Sequence, residues 1–316
     1  MKKMKLLTGM MVMSLSMLMG IQAKASVGQT AETENSITVQ WDAQDRATQY
    51  LVTLGTDYSD KSGTPVTVPA GTTTYTFTGL KAGQEYYVNV DYDYANYSGG
   101  VSQATAGGTR IYTNPGKVTG VNQEKWYYFI NSVNFGWDKC GDGYEYVVKT
   151  SKGKKFASSE CYSNSSSISN VKNTEMYQLK VRAKRKIRRP NGTEEVIWGS
   201  WSDTAYLFTQ PMVKKLTVSG GKLKISFNKV SGLTSYDVFV STKEKKGYKK
   251  VKTLKAKQTS LTVSKLKGKK FSGNKKYYVY VVGKKKVGKN TYTSGRHYSM
   301  LVVNGRNTLN WSFDGK

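Results

Sequence analysis

Ile37, Val39 and Trp41 alternate with polar residues, and the same rhythm returns at Val133, Phe135 and Trp137 and again at Leu223, Ile225 and Phe227. Successive side chains on a strand point to opposite faces, so each stretch predicts a strand with one buried face. A second alternating stretch follows each after a short polar loop: Tyr50-Val52-Leu54, Tyr144-Tyr146-Val148 and Tyr236-Val238-Val240. A third set, Tyr86-Val88-Val90, Tyr177-Leu179-Val181 and Tyr277-Val279-Val281, comes later in the same order. Leu80, Val171 and Leu266 stand 6, 6 and 11 residues before its leading tyrosines. One pattern occurring three times predicts three copies of one all-β unit, the third with a longer connection.

The N-terminus follows a different pattern. Lys2, Lys3 and Lys5 precede an apolar run over residues 6–21, and Ala23-Lys24-Ala25 closes it with small residues at Ala23 and Ala25. That order is the layout of a secretory signal peptide cleaved after Ala25. The apolar run of 16 residues falls short of the roughly 20 that a spanning helix needs. Export with no membrane span after cleavage is therefore expected. Removing residues 1–25 leaves 291, or 97 per repeat, close to one immunoglobulin-like sandwich. Pro115-Gly116-Lys117-Val118 and Pro211 mark short hinges, which places units at 26–114, 115–211 and 212–304, with a C-terminal tail at 305–316.

A Trp in the second strand, Tyr-x-Val in the third, and a Leu followed about six residues later by Tyr-x-Val-x-Val resemble the signature of fibronectin type III domains. The tandem arrangement resembles the secreted arrays of such domains in Gram-positive bacteria. The second repeat departs at Val171 and has a loop after Trp137 shorter by two residues, and the third carries Phe227 in place of the Trp. The resemblance implies an all-β fold of three β-sandwiches. Trp41, Trp137 and Phe227 would fill the space between the sheets. Tyr86, Tyr177 and Tyr277 would be corner tyrosines, ring inward and hydroxyl bonded to backbone upstream. All six are expected to be structural.

Charge changes the picture in one unit. The chain carries 49 Lys plus Arg against 21 Asp plus Glu, a net of +28. Residues 26–114 hold 4 basic and 9 acidic side chains, residues 115–211 hold 15 and 9, and residues 212–316 hold 26 and 3. Three clusters dominate the last unit: Lys243, Lys245, Lys246, Lys249 and Lys250; Lys267, Lys269 and Lys270; and Lys284, Lys285 and Lys286. A field this strong captures polyanions, and a lysine-biased solvated face is the plainer alternative. The candidate partners are an anionic cell-wall polymer, an acidic polysaccharide or another extracellular protein. Nucleic acid ranks below these, because Lys outnumbers Arg 24 to 2 in this unit and point charges suit diffuse contact better than bidentate recognition.

Catalytic chemistry has few candidates. The chain has one His and two Cys, with no zinc helix, nucleophile elbow or phosphate-binding glycine loop. His297 has no convincing partners in chain order. Asp91 and Asp93 share a strand face, yet no calcium-loop pattern surrounds them. No enzymatic activity and no cofactor are expected. Cys140 and Cys161, the only cysteines of an exported chain, are a candidate disulfide, with free thiols as the alternative. Trp198-Gly199-Ser200-Trp201-Ser202 resembles the Trp-Ser-x-Trp-Ser box of cytokine receptors, with Gly199 departing from it. It is expected to form a structural ladder with Arg182, Lys184 and Arg185. Lys184 to Arg189 with Pro190-Asn191-Gly192 reads as a basic hairpin arm, solvated or touching a polyanion. The leading function class is a secreted adhesive or scaffolding protein. A passive spacer in a larger extracellular assembly is the alternative, and a carbohydrate-active enzyme is a distant third. Oligomeric state is left open.

Overall fold

The computed structural model describes residues 27–57, 63–124 and 131–310. The expected signal peptide, with Ala23 and Ala25, lies outside them. All regular structure among the described residues is β. Its hydrogen-bonded sheets fall into three pairs, and no sheet mixes strands from two repeats.

In the first repeat the strands are β1 (Gly28–Glu32), β2 (Ser36–Gln40), β3 (Ala47–Gly55), β4 (Val66–Pro69), β5 (Thr74–Thr78), β6 (Glu85–Ala95) and β7 (Val101–Tyr112). They form a three-stranded sheet β1-β2-β5 and a four-stranded sheet β4-β3-β6-β7, all antiparallel. Ile37 and Val39 from one sheet meet Tyr50, Val52, Val88 and Val90 from the other in one buried cluster with Trp41.

The second repeat has β8 (Asn122–Gln123), β9 (Val133–Gly136), β10 (Gly143–Thr150), β11 (Lys155–Cys161), β12 (Ser165–Ile168), β13 (Tyr177–Arg188), β14 (Glu194–Trp198) and β15 (Ala205–Leu207). Its sheets are β12-β9-β8 and β11-β10-β13-β14, with β15 also pairing β13. The third has β16 (Val213–Ser219), β17 (Lys222–Phe227), β18 (Ser235–Ser241), β19 (Lys249–Lys255), β20 (Ser260–Val263), β21 (Tyr277–Val287), β22 (Asn290–Thr293), β23 (Ser299–Val303) and β24 (Arg306–Asn310). Its sheets are β16-β17-β20 and β19-β18-β21-β23-β24, with β22 also on β21.

The same side chains hold each sandwich. Trp41, Trp137 and Phe227 stand edge-on to Tyr50, Tyr144 and Tyr236 with ring centroids 5.3, 5.2 and 5.0 Å apart. Each of those tyrosines accepts a backbone N–H from the preceding loop, from Gln44, Cys140 and Val230 at 2.8, 2.9 and 3.0 Å. The corner tyrosines do the same one crossover later. Lys81, Lys172 and Ser272 donate their backbone N–H to Tyr86, Tyr177 and Tyr277 at 2.9, 3.0 and 3.0 Å.

That third bond corrects the alignment of the third repeat. The apolar residue six before Tyr277 is Phe271, which is buried and stands edge-on to the Tyr277 ring at 4.9 Å. Leu266 instead starts an inserted turn, bridged to Lys269. Lys267 and Gly268 both adopt positive φ there, 51° and 79°, as the tightest hairpin turn demands. The tail expected from residue 305 also opens as structure. Asn304-Gly305, with φ of 48° and 73°, makes the turn that folds β24 onto β23. Asn307 then bonds the Leu216 backbone at both its N–H and its carbonyl, at 2.7 and 3.1 Å. An Asn-Gly pair between alternating apolar residues is a strong hairpin signal, and the reading of a tail passed over it.

A glutamine in the first strand of the first two repeats, and just ahead of the first strand of the third, splices the chain there to a segment late in the same repeat. The Gln29 side-chain amide accepts the Tyr112 N–H and donates to the Tyr112 carbonyl, both at 2.8 Å. Gln123 treats Phe208 in the same way, both at 3.0 Å. Gln210 accepts from Tyr298 and donates to its carbonyl, again both at 3.0 Å.

Candidate functional site

Ten of the eleven candidate lysines fall on loops, edges and strand ends of the third repeat with exposed or half-exposed side chains and no shared ligand geometry. Lys243, Lys245 and Lys246 lie between β18 and β19, Lys249 and Lys250 open the edge strand β19, and Lys267, Lys269 and Lys270 ride on the inserted turn. Lys285 and Lys286 extend β21, with Lys285 reaching the Gly232 carbonyl at 2.9 Å. The eleventh, Lys284, is half-buried and committed to an ion pair. It pairs with the Asp237 carboxylate at 2.5 Å, while Lys250 approaches that carboxylate at 3.6 Å.

Asp237 is the buried acid of this surface, with a side chain 5% exposed. Burial works against its charge, but hydrogen bonds from Lys284 and Thr253 and the charges of Lys284 and Lys250 outweigh it, so its carboxyl is held below the usual range. A carboxyl with a depressed pKa contributes stability that is present above its unfolded value, about pH 4, and is lost as pH falls through the folded value. The stability lost on Asp237→Asn is therefore expected to shrink as pH drops from about 7 to about 3. Urea unfolding of both proteins across that range tests it, and a pH-independent difference would refute it.

The second repeat carries a ladder of rings and cations on the outward face of β13. The Arg182 guanidinium lies over Trp198 at 4.2 Å and over Trp201 at 4.7 Å. The Lys184 ammonium lies over Trp198 at 5.6 Å and over Tyr162 at 5.4 Å. Glu145 bonds Arg182 at 2.6 Å and Glu160 pairs with Lys184, so both rungs are neutralised and held. Arg185 is not a rung. The departure at Gly199 also has a steric cause: a Cβ there would come within 2.3 Å of the Pro115 carbonyl oxygen.

The basic arm turns out to be a junction. Arg189 grips Glu32 of the first repeat through two nitrogens at 2.6 and 3.0 Å, and its Nε reaches Glu195 at 2.7 Å. Glu32 is 8% exposed and Arg189 15%. Arg185 donates to the Gly83 carbonyl at 3.1 Å and lies over the Tyr112 ring at 4.9 Å. Neither arginine is available to a polyanion, and of the basic arm only Lys186 and Arg188 stay exposed. The hinge expected at Pro211 is bonded too. Tyr298 donates its hydroxyl to the Pro211 carbonyl at 3.0 Å, Tyr206 meets Tyr292 edge-on at 5.3 Å, and the buried side chains of the last two repeats form one continuous cluster.

Cys140 and Cys161 are free thiols, not a disulfide. The Cys140 Sγ faces the Gly116 carbonyl at 3.9 Å, whereas that of Cys161, at the end of β11, faces the Ser163 carbonyl at 3.4 Å. Each side chain is thus committed to a different neighbour, and burial raises both thiol pKa values. Asp91 accepts from Thr105 at 2.6 Å, and Asp93 accepts from Gln49 and Gln103 at 2.7 and 3.2 Å, so ordinary cross-strand donors occupy both carboxylates. His297 gives its backbone N–H to Gln210 at 2.6 Å at the junction between repeats. Among the described residues no group of three His, Cys, Asp or Glu is placed to hold a metal, and no helix is long and apolar enough to cross a membrane.

No curated protein sequence matches this chain. Among solved structures it is similar to the FN1-FN3 domains of chicken CNTN1, at 12% identity over 90% of this chain and 97% of that chain, with a TM-score of 0.33. It is also similar to a two fibronectin type-III domain segment from chicken tenascin, at 15% identity over 58% of this chain and 98% of that chain, with a TM-score of 0.31. Residues 25–107 match the family model of the fibronectin type III domain, which identifies the first of the three repeats as the carrier of that family's sequence pattern.

Proposed function

We propose that this chain is an exported, non-catalytic binding or scaffolding protein of the kind found in secreted bacterial fibronectin type III arrays, and that its third repeat associates with an anionic cell-surface polymer. One observation carries the reading. Residues 212–316 hold three acids against 26 basic side chains, and Asp237, the buried one, is committed to Lys284 and Lys250, which leaves most of the lysines outside without an offsetting charge. Their field acts over about 8 Å at physiological ionic strength, which suits a dense, weakly specific and salt-sensitive association with a cell-wall polyanion or acidic polysaccharide.

The test uses the full chain and a variant with Lys243, Lys249, Lys267, Lys269, Lys270 and Lys286 all changed to Gln. On immobilised teichoic acid, the unmodified chain is expected to elute at distinctly higher salt than the variant. The gap should close near 1 M, where screening shortens to about 3 Å. Equal elution, or retention that ignores salt, would leave the lysines as a solubility device. A spacer role is the second reading, favoured by the Arg189–Glu32 grip, which ties the first two repeats together rather than leaving them free.

A further inference from the structure

The ladder of the second repeat ends beside a cleft that none of its structural duties explains. This cleft, of about 550 Å³, is lined by Val147, Lys149, Gln178, Lys180, Trp201 and Thr204. Lys149 and Gln178 face each other across β10 and β13, as do Val147 and Lys180. All four alternate with the inward residues Tyr146, Val148, Tyr177 and Leu179, so they stand on the outward face of the sheet. Lys149 also pairs in register with Lys155 of β11.

The charge balance changes along this face. At the ladder each cation has its carboxylate, Glu145 for Arg182 and Glu160 for Lys184. At the cleft Lys149 and Lys180 are exposed, no acid is among the lining residues, and neither lysine has an acidic partner among the described residues. Arg182 holds the Trp201 ring at 4.7 Å, which fixes the cleft wall before any ligand arrives. An indole wall, a side-chain amide, a hydroxyl and two uncompensated ammonium groups form a specific donor set. The ring offers a flat apolar surface to the C–H face of a pyranose, Gln178 and Thr204 offer both halves of hydrogen bonds to ring hydroxyls, and the lysines call for a carboxylate.

We infer that this cleft binds an acidic saccharide, a uronic-acid-type sugar stacked on Trp201 with its carboxylate between Lys149 and Lys180. Unlike the diffuse field of the third repeat, this is a shaped site, and it stands independently of that proposal.

The full chain is titrated with a tetragalacturonate oligosaccharide and with its carboxyl-reduced neutral counterpart, followed by calorimetry and tryptophan fluorescence. The acidic sugar is expected to bind saturably and the neutral one much more weakly. Lys149→Gln with Lys180→Gln, both at exposed positions that the fold does not need, is expected to weaken binding by about tenfold or more. Trp201→Phe should lower the affinity less than Trp201→Ala. The six-lysine variant of the third repeat should bind the tetrasaccharide as the unmodified chain does. Failure to bind the tetrasaccharide, equal binding of the neutral sugar, or no effect of the double lysine variant would overturn the assignment. Loss of binding only in the third-repeat variant would overturn it too, and would move the site to that repeat.

Discussion

Truncating Trp41 to alanine is expected to cost about 4 kcal/mol, while Trp41→Phe costs only about 1 kcal/mol. The indole is 2% exposed and stands against Tyr50 at 5.3 Å. Its removal would open a cavity between the sheets and loosen the tyrosine whose hydroxyl holds the loop at Gln44. Phenylalanine keeps the edge-on pair, as Phe227 does with Tyr236 in the third repeat at 5.0 Å. It also removes a liability, because the buried Trp41 Nε1 has no hydrogen-bond partner. Since a whole domain is stable by only about 5–15 kcal/mol, the alanine variant should lose much of the first repeat's stability. Urea unfolding of the two variants decides the matter, and similar costs for Phe and Ala would contradict this account of the position.

The second large effect lies between repeats. Arg189→Met is expected to cost about 3 kcal/mol, mostly from leaving Glu32 buried without its partner. The guanidinium meets both Glu32 oxygens in a fork, at 2.6 and 3.0 Å, and among the described residues the carboxylate's other side-chain donor is the Gln29 amide at 2.8 Å. Pairing Arg189→Met with Glu32→Gln should recover most of the loss, because the second change removes the stranded charge. Thermal melts of the single and double variants form the cycle that isolates this term. The single variant is expected to uncouple the first repeat's transition from the second's. Additive costs in the double variant would show that the grip contributes nothing of its own.

The strands and the six structural aromatics were legible because two-residue alternation reports burial directly. Trp41, Trp137 and Phe227 and the hydroxyl bonds of Tyr86, Tyr177 and Tyr277 all stand where the repeat places them. The second tyrosine set was legible only in part. Tyr50, Tyr144 and Tyr236 read as inward residues, but nothing in alternation reveals that their hydroxyls cap loops. Leu266 misled for a related reason: a turn inserted ahead of the crossover moved the corner position to Phe271, and spacing counted back from Tyr277 would have found it. Arg189 looked like part of a charge run because its partner lies 157 residues away. The cleft at Trp201 was equally hidden, since it depends on which cations carboxylates neutralise, a matter of register between β10 and β13 rather than of composition.

The three glutamine splices bear on how the chain responds to tension. Within the first repeat, Gln29 meets Tyr112 and the Thr33 carbonyl accepts from Asn114 at 2.9 Å, so the first and last strands advance in the same direction where they touch. A pull on the two ends of such a unit drags these neighbours in opposite senses along their length. The paired amide bonds of Gln29 are then strained together in shear, instead of opening one after another as in a peeling hairpin. Gln123 and Gln210 make the same paired amide bonds to Phe208 and Tyr298, so in every repeat a single glutamine side chain carries part of the load that elsewhere falls on backbone alone.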